Sequence, residues 1–476
     1  MRRTRLCTLL LAVVGTIGAS PLGASACPEV GVNDFRLSVL GGSGSAEFDA
    51  REPRAAYNPD RDEYLVVFWG DGGPNQANEI FEIYGQVHQG GGGFGTFLQI
   101  SDMGPEHDTD YGAFTPDVAY DSTNEQYLVV WEGNDDAVDE LRIYGQLLTG
   151  ATIPIGGSFP ISDAPDSLGP AVAYNPTDDE YLVTWLIGDE VVGQRLDAAT
   201  GARIGDPEFR ISGPGAQMSR PSVTYNPMTQ EYLVVWVADI LPALFELELE
   251  IVGQRLNGRF GLEVGVDDFR ISAMGPDGDS AYDALNPSIA VSPEGRYLVV
   301  WQADTDFPTI DDEFEIFGQL LDGAGGSLGA DDFLVSDMGG MRESLYDAGF
   351  PAATYDSAAE AFLVVWHGED DVDGLAVGER EIFGQYLDRD GLELAPNDFR
   401  ISDVVGTGGP SRDANRPAVA PPSDNGQLLV VWSADDDDQG AVDEEFEIYG
   451  QRVMLSGCEI FRDGFESGDT GAWGSP

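Results

Sequence analysis

Carboxylates are the residues in this sequence whose number and spacing could do chemistry. Three runs concentrate them: Asp370-Asp371-Val372-Asp373-Gly374, Asp435 to Asp438 followed by Asp443, and Asp304 with Asp306 and Asp311. A hard divalent cation such as Ca²⁺ takes about six to eight oxygens from carboxylates and carbonyls, and each run could supply several. None of the runs has the full spacing of an EF-hand loop. The candidate metal ligands are Asp304, Asp306, Asp370, Asp371, Asp373, Asp435, Asp437 and Asp443. The same acids also fit a solvated face suited to salt or solubility. A third reading is a carboxylate pair of the glycosidase kind.

Other catalytic signals are absent. There is no Gly-x-Ser-x-Gly elbow, no His-Glu-x-x-His, no P-loop and no dinucleotide fingerprint. The three histidines, His88, His107 and His367, are scattered. Cys7 lies in the leader described below, and only Cys27 and Cys458 remain, near opposite ends of the chain.

The elements that hold these groups must be apolar enough to fold. Over 476 residues, 42% are hydrophobic and 10% aromatic, which gives a sizeable core and excludes global disorder. All 24 basic residues are arginine; against 84 acids they leave a net charge of −60. Nucleic acid and anionic lipid need a basic surface and are excluded as natural partners. Sixty-one glycines with three His and three Cys argue against a helical bundle and against a His- or Cys-built metal site.

Residues 1–26 read as a secretory signal: Arg2, Arg3 and Arg5, an apolar stretch from Leu9 to Ile17, and a small-residue cleavage site at Ala24-Ser25-Ala26. No later stretch has the length of a membrane span. The expected product is secreted, whether extracellular, periplasmic or at the cell surface, and monomeric. Export to an oxidising compartment favours a Cys27–Cys458 disulfide.

Four short motifs recur seven times. A Tyr-Leu-Val-Val-Trp-like run starts at Tyr64, Tyr127, Tyr181, Tyr232, Tyr297, Phe362 and Leu428; its first copy reads Phe68-Trp69, one residue longer than the rest. An Ile-Tyr-Gly-Gln-like run ends at Gln86, Gln146, Gln194, Gln254, Gln319, Gln385 and Gln451. A Phe-x-Ile-Ser-like run starts at Phe35 and recurs to Phe399, and a Pro-x-Val-Ala-Tyr-like run precedes each Trp run. Each is rich in β-branched and aromatic residues and bounded by Gly, Pro, Asn or Asp. Four strands per repeat, seven times, predict an all-β, seven-bladed β-propeller. A solenoid would also repeat but needs no closure.

Strands a to d are named in the order Pro-x-Val-Ala-Tyr, Trp run, Gly-Gln run, Phe-x-Ile-Ser. The chain starts with a lone d strand at Phe35–Ser38 and ends with a, b and c only, at 417–453, so the N-terminal strand is expected to complete the last blade. The spacings Gln451 to Cys458 and Cys27 to Phe35 together match one c–d loop, so the disulfide would stand in for it covalently. The domain reading is 1–26 signal, 27–455 propeller and 456–476 tail. The repeated Trp, Gly and Gln are expected to be structural, because an active site is made once.

In such blades the b–c and d–a loops share one face. The long b–c loops (132–142, 302–315, 367–381, 433–447) are acidic, while Ile240–Leu249 is apolar and could touch a partner. The d–a loops repeat Asp-Ala-x-x-Pro at Asp49, Asp283, Asp347 and Asp413. The Asp is expected to accept local backbone N–H bonds before an extended residue ahead of Pro. Arg51, Arg220, Arg342, Arg412 and Arg416 lie on this face and could pair with acids or bind an anionic ligand.

The unit Pro-x-Val-Ala-Tyr-Asn, Tyr-Leu-Val-Val-Trp, Ile-Tyr-Gly-Gln-Arg-Leu resembles the repeats of exported bacterial β-propeller proteins over residues 34–453. The blade plan is similar to that of sialidases, although no Ser-x-Asp-x-Gly-x-Thr-Trp box is present. The tail from Ile460 to Trp473 resembles short C-terminal segments of secreted bacterial proteins. The expectation is a non-catalytic binding or scaffold module for an unknown protein or glycan, with Ca²⁺ on its acidic loops. The alternative is a carbohydrate-active hydrolase using rim carboxylates. An enzyme should carry one unrepeated cluster facing the channel, whereas a binder should show equivalent loops.

Overall fold

The structure, a computed structural model, describes residues 29–38, 40, 49–71, 80–105, 108–135, 140–213, 219–240, 248–276, 282–304, 314–338, 346–369, 378–403, 413–435 and 446–455. These residues form seven four-stranded antiparallel sheets set in a ring, a seven-bladed β-propeller. Blades 1 to 6 run over 50–99, 112–160, 167–210, 222–270, 284–334 and 348–400. Blade 7 takes strands a to c from 414–453 and its outer strand from the N-terminus, Glu29–Arg36, paired antiparallel to Phe446–Val453. The closure is as expected, with the N-terminal strand starting earlier than Phe35. No helix among the described residues is long and apolar enough to cross a membrane.

Strand b makes the core. Its alternating large apolar side chains face the two neighbouring blades, and six of the repeat tryptophans (Trp131, Trp185, Trp236, Trp301, Trp366, Trp432) are fully buried. Each packs between blades, as Trp185 of blade 3 does against Leu128 and Val130 of blade 2. In blade 1, Phe68 takes the tryptophan's place opposite Tyr84, just as Trp131 stands opposite Tyr144. Trp69 is thereby pushed one step on, where it packs edge-on against Phe81 and Phe114.

The Gly-Gln pair positions strand d. A Cβ on Gly145 would stand 2.9 Å from Ile161 Cδ1, so the glycine makes room for the outer strand. The Gln beside it donates to backbone carbonyls: Gln385 Nε2 reaches Tyr386 O at 2.9 Å and Leu394 O at 2.9 Å. Its Oε1 accepts from the bulged residue of strand d, as with Asp398 N at 3.0 Å.

That bulge clasps neighbouring blades. Asp398 is in the left-handed region, φ 44°, and its Oδ2 accepts from Asp337 N of blade 5 at 2.9 Å. Asp34 does the same across the closure, accepting from Asp403 N at 2.7 Å. A second repeated contact is buried: the Glu before the Gly-Gln run accepts from a Ser two residues past strand d, in the pairs Glu82–Ser101, Glu250–Ser272, Glu315–Ser336, Glu381–Ser402 and Glu447–Ser38.

Candidate functional site

Strand a is innermost, and its residues wall the central channel. In each blade the strand enters through an x-Pro-x step: Glu52-Pro-Arg54, Thr115-Pro-Asp117, Gly169-Pro-Ala171, Arg220-Pro-Ser222, Asn286-Pro-Ser288, Phe350-Pro-Ala352 and Arg416-Pro-Ala418. The residue ahead of Pro was expected to be extended. In six of the seven it is left-handed instead, with φ from 46° to 61°. The reason is a bulge: the a–b pairing slips across this step, as between Arg51 and Arg54 or Phe114 and Asp117.

In four blades the residue after the tryptophan position accepts from the backbone ahead of Pro in the next blade. Ser433 Oγ accepts from Glu52 N at 3.0 Å, Glu132 Oε2 from Gly169 N at 2.6 Å, and Gln302 Oε1 from Phe350 N at 2.9 Å. His367 belongs to this set, with Arg416 N pointing at its Nδ1 from 3.5 Å. Burial, with Arg380 nearby, pushes His367 down to about 3, so it is a neutral acceptor. The backbone bulge is thus held from behind, and the side chains ahead of and after Pro point into the channel.

There they enclose a cavity of about 600 Å³. The strands repeat; these side chains do not. Arg54, Asp117 and Arg220 come from blades 1, 2 and 4; Arg54 and Asp117 are each the one Arg and the one Asp after Pro, and Arg220 is matched ahead of Pro by Arg416 of blade 7. Glu52 and Arg416 form an ion pair at the mouth, and the Arg416 guanidinium lies 4.8 Å over the Phe350 ring. Asp117 Oδ2 accepts from Val172 N at 2.8 Å. Burial raises its carboxyl above the usual range although Arg220 and Arg54 both pull it down. Burial likewise lowers Arg54 to about 10, helped by Arg220 and opposed by Asp117. Arg220 is lowered by burial, against the attraction of Asp117 and Glu132. The wall therefore offers a carboxyl that keeps its proton more readily than usual, beside two guanidinium groups and an ion-paired carboxylate.

Of the eight acids expected to bind Ca²⁺, two are described. Asp306, Asp370, Asp371, Asp373, Asp437 and Asp443 lie outside the described residues. Asp304 and Asp435 are buried at the ends of strand b in blades 5 and 7, so the fold does not bring these two together. They occupy the place of Asp71 and Asn134, which accept backbone N–H bonds from the entry to strand a, Asp49 N at 2.7 Å and Gly112 N at 2.8 Å. Among the described residues no three His, Cys, Asp or Glu group to hold a metal. Cys27, Cys458, residues 1–26, the tail and most of the apolar loop after Ile240 also lie outside the described residues.

The Asp-Ala-x-x-Pro aspartates were expected to bond locally. They reach across blades: Asp49 Oδ1 accepts from Phe446 N at 3.1 Å and Asp283 Oδ1 from Leu249 N at 3.1 Å, at the start of strand c in the preceding blade. Of the five arginines expected on this face, Arg220 and Arg416 line the cavity, and Arg51 pairs with Asp49. Arg342 and Arg412 lie outside the described residues. Arg54 and Asp117 were missed. Comparing the residue after Pro across the seven copies would have singled them out.

No family model matches the chain, and no curated protein matches it. Solved structures do. The polysaccharide lyase Uly1 is similar over 90% of this chain and 100% of its own, with TM-score 0.51 and 10% identity. The GH93 α-L-arabinofuranosidase of Fusarium graminearum, solved with arabinobiose, is similar over 89% of this chain and 98% of its own, with TM-score 0.48 and 12% identity. The NanB sialidase of Streptococcus pneumoniae is similar over 89% of this chain and 71% of its own, with TM-score 0.47 and 8% identity. At such identities the likeness is one of fold, and sialidase-type propellers are among the similar structures, in keeping with the blade plan. The expectation of a non-catalytic module is corrected on this finding, since the three structures named are those of carbohydrate-active enzymes.

Proposed function

We propose that the protein is a carbohydrate-active enzyme, a hydrolase of glycosidic bonds, whose active centre is the channel mouth. The observation that carries this reading is a charged set found in no single blade but assembled by a repeated scaffold: Arg54, Asp117 and Arg220, with the Glu52–Arg416 pair. Glycoside cleavage needs one carboxyl that holds a proton for the leaving oxygen and one that stays charged. Asp117, raised by burial, suits the first role, and Glu52, paired with Arg416, suits the second. The arabinose-, sialic acid- and polysaccharide-directed names of the similar proteins agree with a sugar substrate. The export expected from residues 1–26 would put such an enzyme where polysaccharides are met.

The test is release of reducing ends from a panel of neutral and acidic polysaccharides, repeated with Asp117→Asn and Glu52→Gln. We expect cleavage of at least one polymer, and a loss in kcat of roughly 10²–10⁴ in each variant with an unchanged melting temperature. Cleavage that survives both substitutions would move the active centre elsewhere.

A further inference from the structure

We infer that the channel holds a carboxylate-bearing saccharide, with Arg54 and Arg220 as the groups that grip its carboxylate. The inference rests on the reading of the channel mouth as a carbohydrate site and names its substrate class. Most described arginines have a carboxylate within 4 Å, among them the buried Arg195 on Glu180 and Arg255 on Glu231. Arg54 and Arg220 do not, among the described residues. Arg54 Nη1 donates to Pro53 O at 2.9 Å and Arg220 Nη2 to Pro170 O at 2.6 Å, both carbonyls of the wall itself. A guanidinium has five N–H donors in a planar fork, so each group keeps donors to spare inside the cavity.

Their surroundings leave that charge under-compensated. Asp117 attracts both groups but makes no ion pair with either within 4 Å, and burial still lowers Arg54 and Arg220. The two arginines also repel one another. An incoming carboxylate would relieve this repulsion and take two-point hydrogen bonds that a neutral hydroxyl cannot match. Steric room is adequate: a cavity of about 600 Å³ lies within the range of ordinary ligand sites. In a protein of net charge −60, two guanidinium groups inside the ring without a carboxylate within 4 Å among the described residues give an acidic sugar attraction at short range.

Calorimetric titration with trigalacturonic acid, and with neutral galactotriose in parallel, tests this on the full chain at 0.15 M salt. The acidic sugar is expected to bind at least tenfold more tightly. Arg220→Met, which keeps the side-chain length, should remove that preference, and Arg54→Met should do the same. Arg203→Met, which breaks an exposed pair with Asp163, should leave it intact and control for non-specific charge loss. Equal affinity for the two sugars, or a preference that persists in both channel variants with native melting curves, would overturn the inference. Should either variant fail to fold, a galacturonate-dependent rise in the wild-type melting temperature that galactotriose does not give supports it, and equal shifts overturn it. Selective binding of the acidic sugar without cleavage of any polymer would sink the hydrolase reading alone.

Discussion

At Gly253 a methyl group would stand 2.8 Å from Ile271 Cδ1 and 3.3 Å from Phe269 Cζ. The glycine is there because strand d of the blade crosses too closely for any side chain. Gly253→Val should therefore destabilise the protein by about 1–3 kcal/mol through overpacking. Urea unfolding would show it as a lower midpoint at unchanged slope; an unmoved midpoint would mean that Ile271 and Phe269 swing aside freely. Such residues were legible because they repeat. Arg54 and Asp117 were not, and for a physical reason. They occupy the variable place in Pro-x-Val-Ala-Tyr, and reading for likeness passes over the position where the copies differ. Only the ring geometry shows that this place from seven distant segments meets in one cavity.

Among the elements, the N-terminal strand Glu29–Arg36 has the most demanding task, since it pairs with Phe446–Val453 at the far end of the chain. Without it the last blade presents an unpaired strand edge, and Asp403 N loses the Asp34 carboxylate. A chain starting at residue 41 is expected to melt earlier and less cooperatively and to self-associate; a peptide of residues 29–40 added in trans should reverse both. Size-exclusion chromatography and thermal melting are the measurements, and a monomer with the parent melting temperature would show that closure is dispensable. Strand identities and closure could be read from motif order alone. The bulges of strands a and d could not. A left-handed Asp, Glu or Phe gives no local signal as strong as glycine, and its backbone is bonded by residues distant in sequence, Phe350 by Gln302 of the neighbouring blade and Asp398 by Gln385 of its own.

For the molecule as a whole, the buried Glu–Ser pairs set a response to pH. Burial raises Glu82, Glu250 and Glu381 to about 7 and Glu315 to about 8, against their serine bonds, and raises Glu447 as well. In the unfolded chain the same groups titrate near 4.5. The folded state thus holds protons that the unfolded state has released. Their stabilising effect is complete below about pH 4.5 and is lost as pH rises through about 7 to 8. The melting temperature should be higher at pH 5.5 than at pH 8.5, at salt high enough to screen the general excess of acid. Glu315→Gln should narrow the difference. A melting temperature that does not vary with pH in wild type would mean that the five carboxyls are already ionised at pH 5.5.

The bulge ahead of each channel proline has a bearing on how such a protein changes over time. At residues 52, 169, 350 and 416 the backbone is held by a side chain of the adjoining blade, and the side chains displayed vary: the seven copies show Glu, Thr, Gly, Arg, Asn, Phe and Arg. Mutation at residues 52, 350 and 416 can therefore sample ligand chemistries at little cost to the architecture, whereas a side chain at Gly169 would meet Arg220 Cβ at 2.6 Å. A combinatorial library confined to those codons would explore new specificities while leaving the core sequence untouched.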